Sequence, residues 1–236
     1  MQILKNTMTE LNIDYNDINI DKFKTFMNFI LDRNEKVNLT AVKDPNDFET
    51  RHFVDSLMCC TSPVFKAAKK IIDIGTGAGF PGIPLAICFP EKEFVLLDSL
   101  NKRIIIVNEA IKLLELRNVT AVHARAEDFA RNKRHREQYD ICLSRAVANL
   151  AVLAEYCMPF VRTGGFFGAY KTEKAEQEIK ESEIAVRMLG GKLADRTRYT
   201  IKGVESDRQI VWIEKTALTP LKYPRKAGIP EKEPIK

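Results

Sequence analysis

With 236 residues, 45% of them hydrophobic and 29% charged, the chain can bury one substantial core and a small appendage, and too little remains for two independent domains. No stretch comes near the roughly 20 apolar residues that span a bilayer, and 1–12 lack the basic start and apolar run of a secretory signal, so a cytoplasmic protein without membrane partners is expected. A net charge of +5 is too small an excess to mark a nucleic-acid binder by itself, and the five cysteines lack metal-ligand spacing, so no metal site is expected.

Over 21–33, Phe23, Phe26, Met27, Ile30 and Leu31 fall at helical spacing behind Asp21, which is placed to cap the helix start. That stripe needs a partner to pack on, and the strand pattern begins only near Ile71. Residues 1–65 are therefore expected to form a helical cap on the main domain. From Lys70 onward the pattern predicts strands over 71–74, 94–98, 120–124, 139–144 and 166–170, separated by helices over 84–89, 102–116, 150–161 and 173–189. Crossover helices imply parallel strands. Gly190-Gly191 ends the last helix, and 193–200 and 209–214 read as two strands joined by a loop, which gives the sheet an antiparallel edge and closes a main domain over 66–216.

After Thr216, Pro220, Pro224, Pro230 and Pro234 preclude a regular helix or central strand, so 217–236 reads as an extended surface tail. It is basic, with Lys222, Arg225, Lys226, Lys232 and Lys236 against Glu231 and Glu233. A second basic cluster, Arg131, Lys133, Arg134 and Arg136, reads as a solvated face.

Between the first strand and the helix after it runs Asp73-Ile74-Gly75-Thr76-Gly77-Ala78-Gly79-Phe80-Pro81-Gly82. Glycine lets backbone N–H groups approach a ligand that a Cβ would push away, and a helix start favours negative charge, so the string reads as a nucleotide-cofactor loop. It satisfies two templates. Gly77, Gly79 and Gly82 fit G-x-G-x-x-G, with Asp98 about twenty residues on at the end of the second strand, where a dinucleotide-binding fold puts its ribose acceptor. Read from Asp73, the string is D-x-G-x-G-x-G, which resembles the first motif of methyltransferases that use S-adenosylmethionine. An acid just ahead of the turn suits the cationic methionyl end of that cofactor and repels a pyrophosphate. The closing pair of strands is also foreign to a dinucleotide domain, so the methyl donor is favoured. An NAD-dependent oxidoreductase is the runner-up, without a visible hydride partner or substrate domain. A non-catalytic RNA-binding module is the second rival, and it would have no need of the glycines together with Asp98 and Glu127.

Further strings follow in order: Asn34-Glu35-Lys36-Val37-Asn38-Leu39-Thr40, Arg51-His52-Phe53-Val54-Asp55-Ser56-Leu57, Leu97-Asp98-Ser99-Leu100-Asn101-Lys102-Arg103 and Arg125-Ala126-Glu127. Ser144-Arg145-Ala146-Val147-Ala148, Glu205-Ser206-Asp207-Arg208 and Tyr223-Pro224-Arg225-Lys226-Ala227-Gly228-Ile229-Pro230 complete the set. Together they resemble the RsmG family, also called GidB, of bacterial small-subunit ribosomal RNA guanine-N7 methyltransferases. One departure is Arg33, where the family usually carries Trp ahead of Asn34, and it bears on how the helical cap packs. The resemblance implies an α/β, Rossmann-like S-adenosylmethionine-dependent methyltransferase whose sheet is seven-stranded and mostly parallel. It also implies the acceptor: N7 of a guanine in 16S ribosomal RNA near the decoding centre, presented by the RNA or the small ribosomal subunit. A monomer is expected.

Onto that reading fall the candidate site residues. Gly75 and Gly77 give the loop its close approach to the cofactor, and Phe80, directly after the third glycine, can wall the site. Asp98 is placed to accept from the ribose, and Ala126-Glu127, after the third strand, can lie along adenine and receive its amino protons, while Glu127 also favours a helix start. Arg145 leaves the fourth strand at its carboxyl end, where its planar fork can order a cofactor group and an RNA oxygen together. Arg51, His52, Lys171, Arg225 and Lys226 are the candidate RNA contacts. Guanine N7 carries a free lone pair at neutral pH, so His52 is not needed as a general base and no acid–base catalyst is assigned.

Overall fold

A computed structural model describes residues 1–145, 148–172, 175–204 and 206–236. Ala146, Val147, Glu173, Lys174 and Glu205 lie outside the described residues, and with them the expected start of the helix over 173–189 and parts of two of the motifs above.

The cap begins with a helix that the periodicity did not reveal, α1 (Gln2–Glu10), in which Leu4 and Met8, one turn apart, are buried. Its start is tied down by Glu49, which accepts from the Leu4 N–H at 2.7 Å and pairs with the N-terminal ammonium at 2.9 Å. The aromatic stripe lies on α2 (Asp17–Val37). Its cap is Asn16 rather than Asp21: Asn16 and Asn19 each take the other's backbone N–H at 3.0 Å, which satisfies two orphan donors and starts the helix a turn before the expected point. Asp21 instead pairs with Lys24 on the surface. Ile20, Phe23, Phe26 and Ile30 form the buried face, and each such side chain removed from water contributes about 1.5–3 kcal/mol. Arg33, at the family's usual Trp position, reaches Glu109 at 2.9 Å with its guanidinium 5.2 Å from the Phe29 ring.

Short helices α3 (Pro45–Phe48), a π-helical turn (Glu49–Val54), α4 (Asp55–Leu57) and α5 (Pro63–Ala67) then lead into the sheet. Its strands are β1 (Lys70–Ile74), β2 (Glu93–Asp98), β3 (Val119–His123), β4 (Tyr139–Arg145), β5 (Val161–Thr172), β6 (Gly191–Tyr199) and β7 (Arg208–Lys215), in the spatial order 3-2-1-4-5-7-6. β1 to β5 pair in parallel, and β7 pairs antiparallel with both β5 and β6. The antiparallel strand is thus β7, inserted one place in from the edge that β6 forms. Between the strands run α6 (Gly82–Cys88), α7 (Asn101–Leu113), α8 (Ala126–Phe129) and α9 (Leu150–Cys157). β5 is longer than expected because α9 stops early, where Pro159 has no N–H to continue it, and the chain extends from Val161.

Alternation along each strand feeds two cores. Ile71, Leu96, Leu143, Ile210 and Trp212 pack with the cap aromatics on one face, and Ile72, Leu97, Cys142, Val211 and Ile213 pack with α9 and α10 (Glu176–Met188) on the other. The cap therefore shares the core of one sheet face.

The C-terminal segment departs from the expected solvated arm. Tyr223, Pro224, Pro230 and Ile235 are buried, and 229–232 close into a short helix, α11 (Ile229–Lys232), with Pro230 in its first turn where no N–H is required. The arginines taken for a solvated face hold it down. Arg131 donates to the Pro224 carbonyl at 2.8 Å, and Arg136 donates to the carbonyls of Tyr223 at 3.0 Å and Thr219 at 2.8 Å.

Candidate active site

The strand order reverses between β1 and β4, and a cavity of about 390 Å3 opens beside it at the carboxyl ends of β1, β2 and β3. Gly75, Asp98, Arg103, Ala126 and Glu127 line it, together with Tyr156 from α9 and Glu231 from α11. Four of the residues singled out in the sequence thus share one cavity: Gly75, Asp98, Ala126 and Glu127.

The glycine loop divides into two kinds of position. Gly75 and Gly77 have positive φ, +72° and +61°, where side chains are strained, and a Cβ on Gly77 would meet nothing within 4 Å. Gly82 is needed for packing instead: a Cβ there would lie 2.1 Å from Leu96 of β2, so the helix α6 (Gly82–Cys88) could not sit against the strand. Asp98 organises the loop from the far side. Its carboxylate accepts from the Gly77 N–H at 3.0 Å and the Leu100 N–H at 2.9 Å, with the Arg103 guanidinium at 3.3 Å.

Asp73 corrects the charge reasoning of the loop. Its carboxyl is not on the cavity wall but beneath the turn, 1% exposed, with Oδ2 taking the Thr76 hydroxyl at 2.7 Å and the Gly82 N–H at 3.1 Å. Oδ1 is buried without a partner, and burial raises the pKa to about 7 against the hydrogen bonds that lower it. The acid therefore braces the loop from beneath.

Phe80 sits apart from the cavity, 5% exposed, in a cluster with Phe26, Phe48 and Phe53 of the cap. The His52 ring stacks on it at 4.5 Å, and the Arg145 guanidinium lies 5.2 Å from its centroid. Arg145 is locked in place: Nη1 reaches Asp55 at 2.8 Å and Nη2 faces His52 Nδ1 at 3.3 Å. Asp55, fully buried, also takes the Tyr199 hydroxyl at 2.9 Å and Arg208 at 3.2 Å, so one carboxylate gathers β4, β6 and β7 onto the cap. Burial, then the Arg145 and Arg208 charges, lowers the His52 pKa to about 3, so the ring is neutral at pH 7. Arginine only donates, so Nδ1 accepts and the proton resides on Nε2, which faces Thr40 Oγ1 at 2.7 Å. His52 thus orients Arg145, and both ring nitrogens of this candidate RNA contact are engaged within the protein.

Two other expected RNA contacts are engaged within the protein. Lys171 bonds Glu178 at 2.5 Å and the Ala148 carbonyl at 2.7 Å. Arg225 forks onto Glu155, 1% exposed, with Nε–Oε1 2.9 Å and Nη2–Oε2 2.6 Å, because a buried carboxylate on α9 requires a partner. Arg51 and Lys226 are exposed, the former 3.6 Å from Asp47. Tyr156 and Glu231, which complete the cavity, were not legible in the sequence, since about 80 to 160 residues separate them from the loop and neither sits in a local pattern. Arg103 was within reach: it lies one turn past Asp98 in a string already singled out.

The family described as GidB, rRNA small subunit methyltransferase G, matches residues 19–211. A ribosomal RNA small subunit methyltransferase G from Alkaliphilus metalliredigens is 44% identical over 234 residues, covering 99% of this chain and 98% of that protein. One of the same name from Desulforamulus reducens is 43% identical over 232 residues, covering 98% and 97%. Among solved structures, a Klebsiella pneumoniae candidate O-methyltransferase aligns with TM-score 0.56 at 14% identity, over 81% of this chain and 90% of that one. The M. jannaschii TYW2 structure in complex with AdoMet aligns with TM-score 0.50 at 21% identity, over 62% and 69%. The structural likenesses carry the methyltransferase fold, and the sequence relationship over nearly the whole length carries the rest: the chain belongs to the GidB family of rRNA small subunit methyltransferases G.

Proposed function

We propose that the protein methylates N7 of a guanine in 16S ribosomal RNA near the decoding centre, using S-adenosylmethionine held in the cavity at the carboxyl ends of β1, β2 and β3. The observation that carries this reading is the cavity's lining within a family of ribosomal RNA methyltransferases. Asp98, Glu127 and Glu231 offer acceptors to hydroxyl and amino groups of a nucleoside, and they would repel the second phosphate of a dinucleotide. When bound, the cofactor supplies an electrophilic methyl group. The protein's part is alignment: the loop fixed by Asp98 and Asp73 supports the donor, while Arg145, held by Asp55 and His52, stands at the end of β4 as the residue positioning the acceptor. N7 needs no deprotonation, and His52, neutral with a pKa near 3, serves no general-base step.

Arg51 and Lys226, both exposed, are proposed as RNA phosphate contacts. A cytoplasmic monomer acting on the RNA or the small subunit completes the reading; no helix among the described residues is long and apolar enough to cross a membrane. Calorimetry tests the cofactor. S-adenosylmethionine or its demethylated product is expected to bind in the micromolar range and NAD not at all, with Asp98→Ala weakening binding roughly tenfold or more. Tight NAD binding without response to the methyl donor would overturn the assignment.

A further inference from the structure

The last residues of the chain reach the cofactor cavity, and their contacts there are specific. Gly228 donates its N–H to Glu127 Oε1 at 3.1 Å, so the carboxylate that faces the nucleoside is oriented by the C-terminal segment. Three residues on, Glu231 lines the same cavity beside Glu127 and Tyr156. Tyr156 registers their proximity: burial and then the charges of Glu127, Glu231 and Glu155 push its phenol up to about 12, so it remains protonated. Upstream, Arg225 locked on Glu155 and the carbonyls held by Arg131 and Arg136 fix where this segment lies.

The carboxylates of the cavity are not matched alike. Asp98 has Arg103 and two backbone N–H groups, and Glu127 has the Gly228 N–H. Glu231 is exposed and has no hydrogen-bond or ion-pair partner among the described residues. An unmatched carboxylate on the wall leaves its acceptor oxygens open. A ligand that brings hydrogen-bond donors to that wall can fill them, and the exocyclic amine of an adenine nucleoside brings two.

We propose that the C-terminal segment is a wall of the cofactor site, in which Gly228 orients Glu127 and Glu231 accepts from the adenine amine, so that cofactor binding and docking of the segment reinforce each other. This rests on the cofactor reading above and adds to it residues far outside the glycine loop. The coupling is reciprocal: a cofactor that binds only the docked segment must stabilise the docking by the same factor that docking adds to its affinity.

The test uses the full-length chain and S-adenosylhomocysteine as probe. Glu231→Ala is expected to weaken its binding roughly three- to tenfold, Glu231→Gln, which keeps an acceptor oxygen, to restore most of the loss, and Lys232→Ala on the same exposed turn to leave affinity unchanged. In hydrogen exchange on the unsubstituted protein, saturating S-adenosylhomocysteine is expected to slow the amides of 228–233 several-fold while those of α1 stay as they were. If the probe binds but Glu231→Ala leaves its affinity intact, or exchange at 228–233 does not respond, this proposal fails and the cofactor assignment stands. If the unsubstituted protein does not bind the probe at all, both fall.

Discussion

Asp73 is held at a cost that its neighbours offset only in part. Two hydrogen bonds satisfy Oδ2, but Oδ1 has none, and burial raises the pKa from 3.8 to about 7. Between roughly pH 4 and 7 the folded chain then retains a proton that the unfolded chain has lost, so this residue's contribution to stability falls as pH rises through that window. Asp73→Asn removes the titration. The stability difference between the variant and the parent, from urea unfolding at a series of pH values, is expected to shift in favour of the variant from pH 4 to 7, by at most about 1.4 kcal/mol per pH unit. A difference that stays constant over that range would show that Asp73 remains ionised where it is buried. Residues of this kind were legible in the sequence by type and only partly by role. The D-x-G-x-G-x-G string located the loop, yet whether its acid faces a ligand or a neighbouring N–H depends on a side-chain direction that spacing does not encode. Asp98 and Glu127 both line the cavity, because they follow strands whose carboxyl ends converge there. Phe80 could not be told from a core aromatic, and its ring belongs to the cap cluster.

At the scale of elements, the C-terminal segment is the clearest divergence from the sequence reading. Its prolines do prevent a long helix, but Tyr223 and Ile235 supply apolar anchors, and the carbonyls of Pro224 and Tyr223, outside any helix, are taken by Arg131 and Arg136. Local patterning sees the charges and the prolines; it does not see the buried Glu155 that captures Arg225. Arg225 and Lys226, adjacent in sequence, are therefore expected to behave differently. Arg225→Ala leaves a carboxylate buried without its partner, which is expected to cost about 3 kcal/mol, or roughly 6–12 °C in the thermal midpoint, without changing how RNA affinity depends on salt. Lys226→Ala is expected to leave the midpoint unchanged and to flatten the slope of log affinity against log salt by about one. Thermal melts and RNA titrations at several salt concentrations separate the two. A lowered slope with an unchanged midpoint for Arg225→Ala would return that residue to a free basic arm. The strands, by contrast, were largely legible, because period-2 burial on both sheet faces leaves runs of apolar residues bounded by turns. Their ends were not, where Pro159 stops α9 and lets β5 begin five residues early.

For the whole molecule, the seven-stranded sheet separates two tasks along one edge. On the β1–β2–β3 side, glycine backbone and carboxylates line the cavity proposed for the nucleoside, and the C-terminal segment borders it. Across the switch point, Asp55 draws Arg145, Tyr199 and Arg208 from three strands onto the helical cap, and this is the side proposed for the acceptor. On the function proposed above, donor and acceptor would meet where these halves join, and catalysis by alignment would require that junction to be stiff. The measurement that bears most directly on this account is single-turnover transfer of a labelled methyl group from S-adenosylmethionine to small-subunit ribosomal RNA, with the product mapped by the strand scission that N7-methylguanine permits. The account predicts label on one guanine at N7, with transfer strongly slowed by Arg145→Ala. Label on a ring carbon, an exocyclic nitrogen or a ribose, or transfer unaffected by the loss of Arg145, would contradict it.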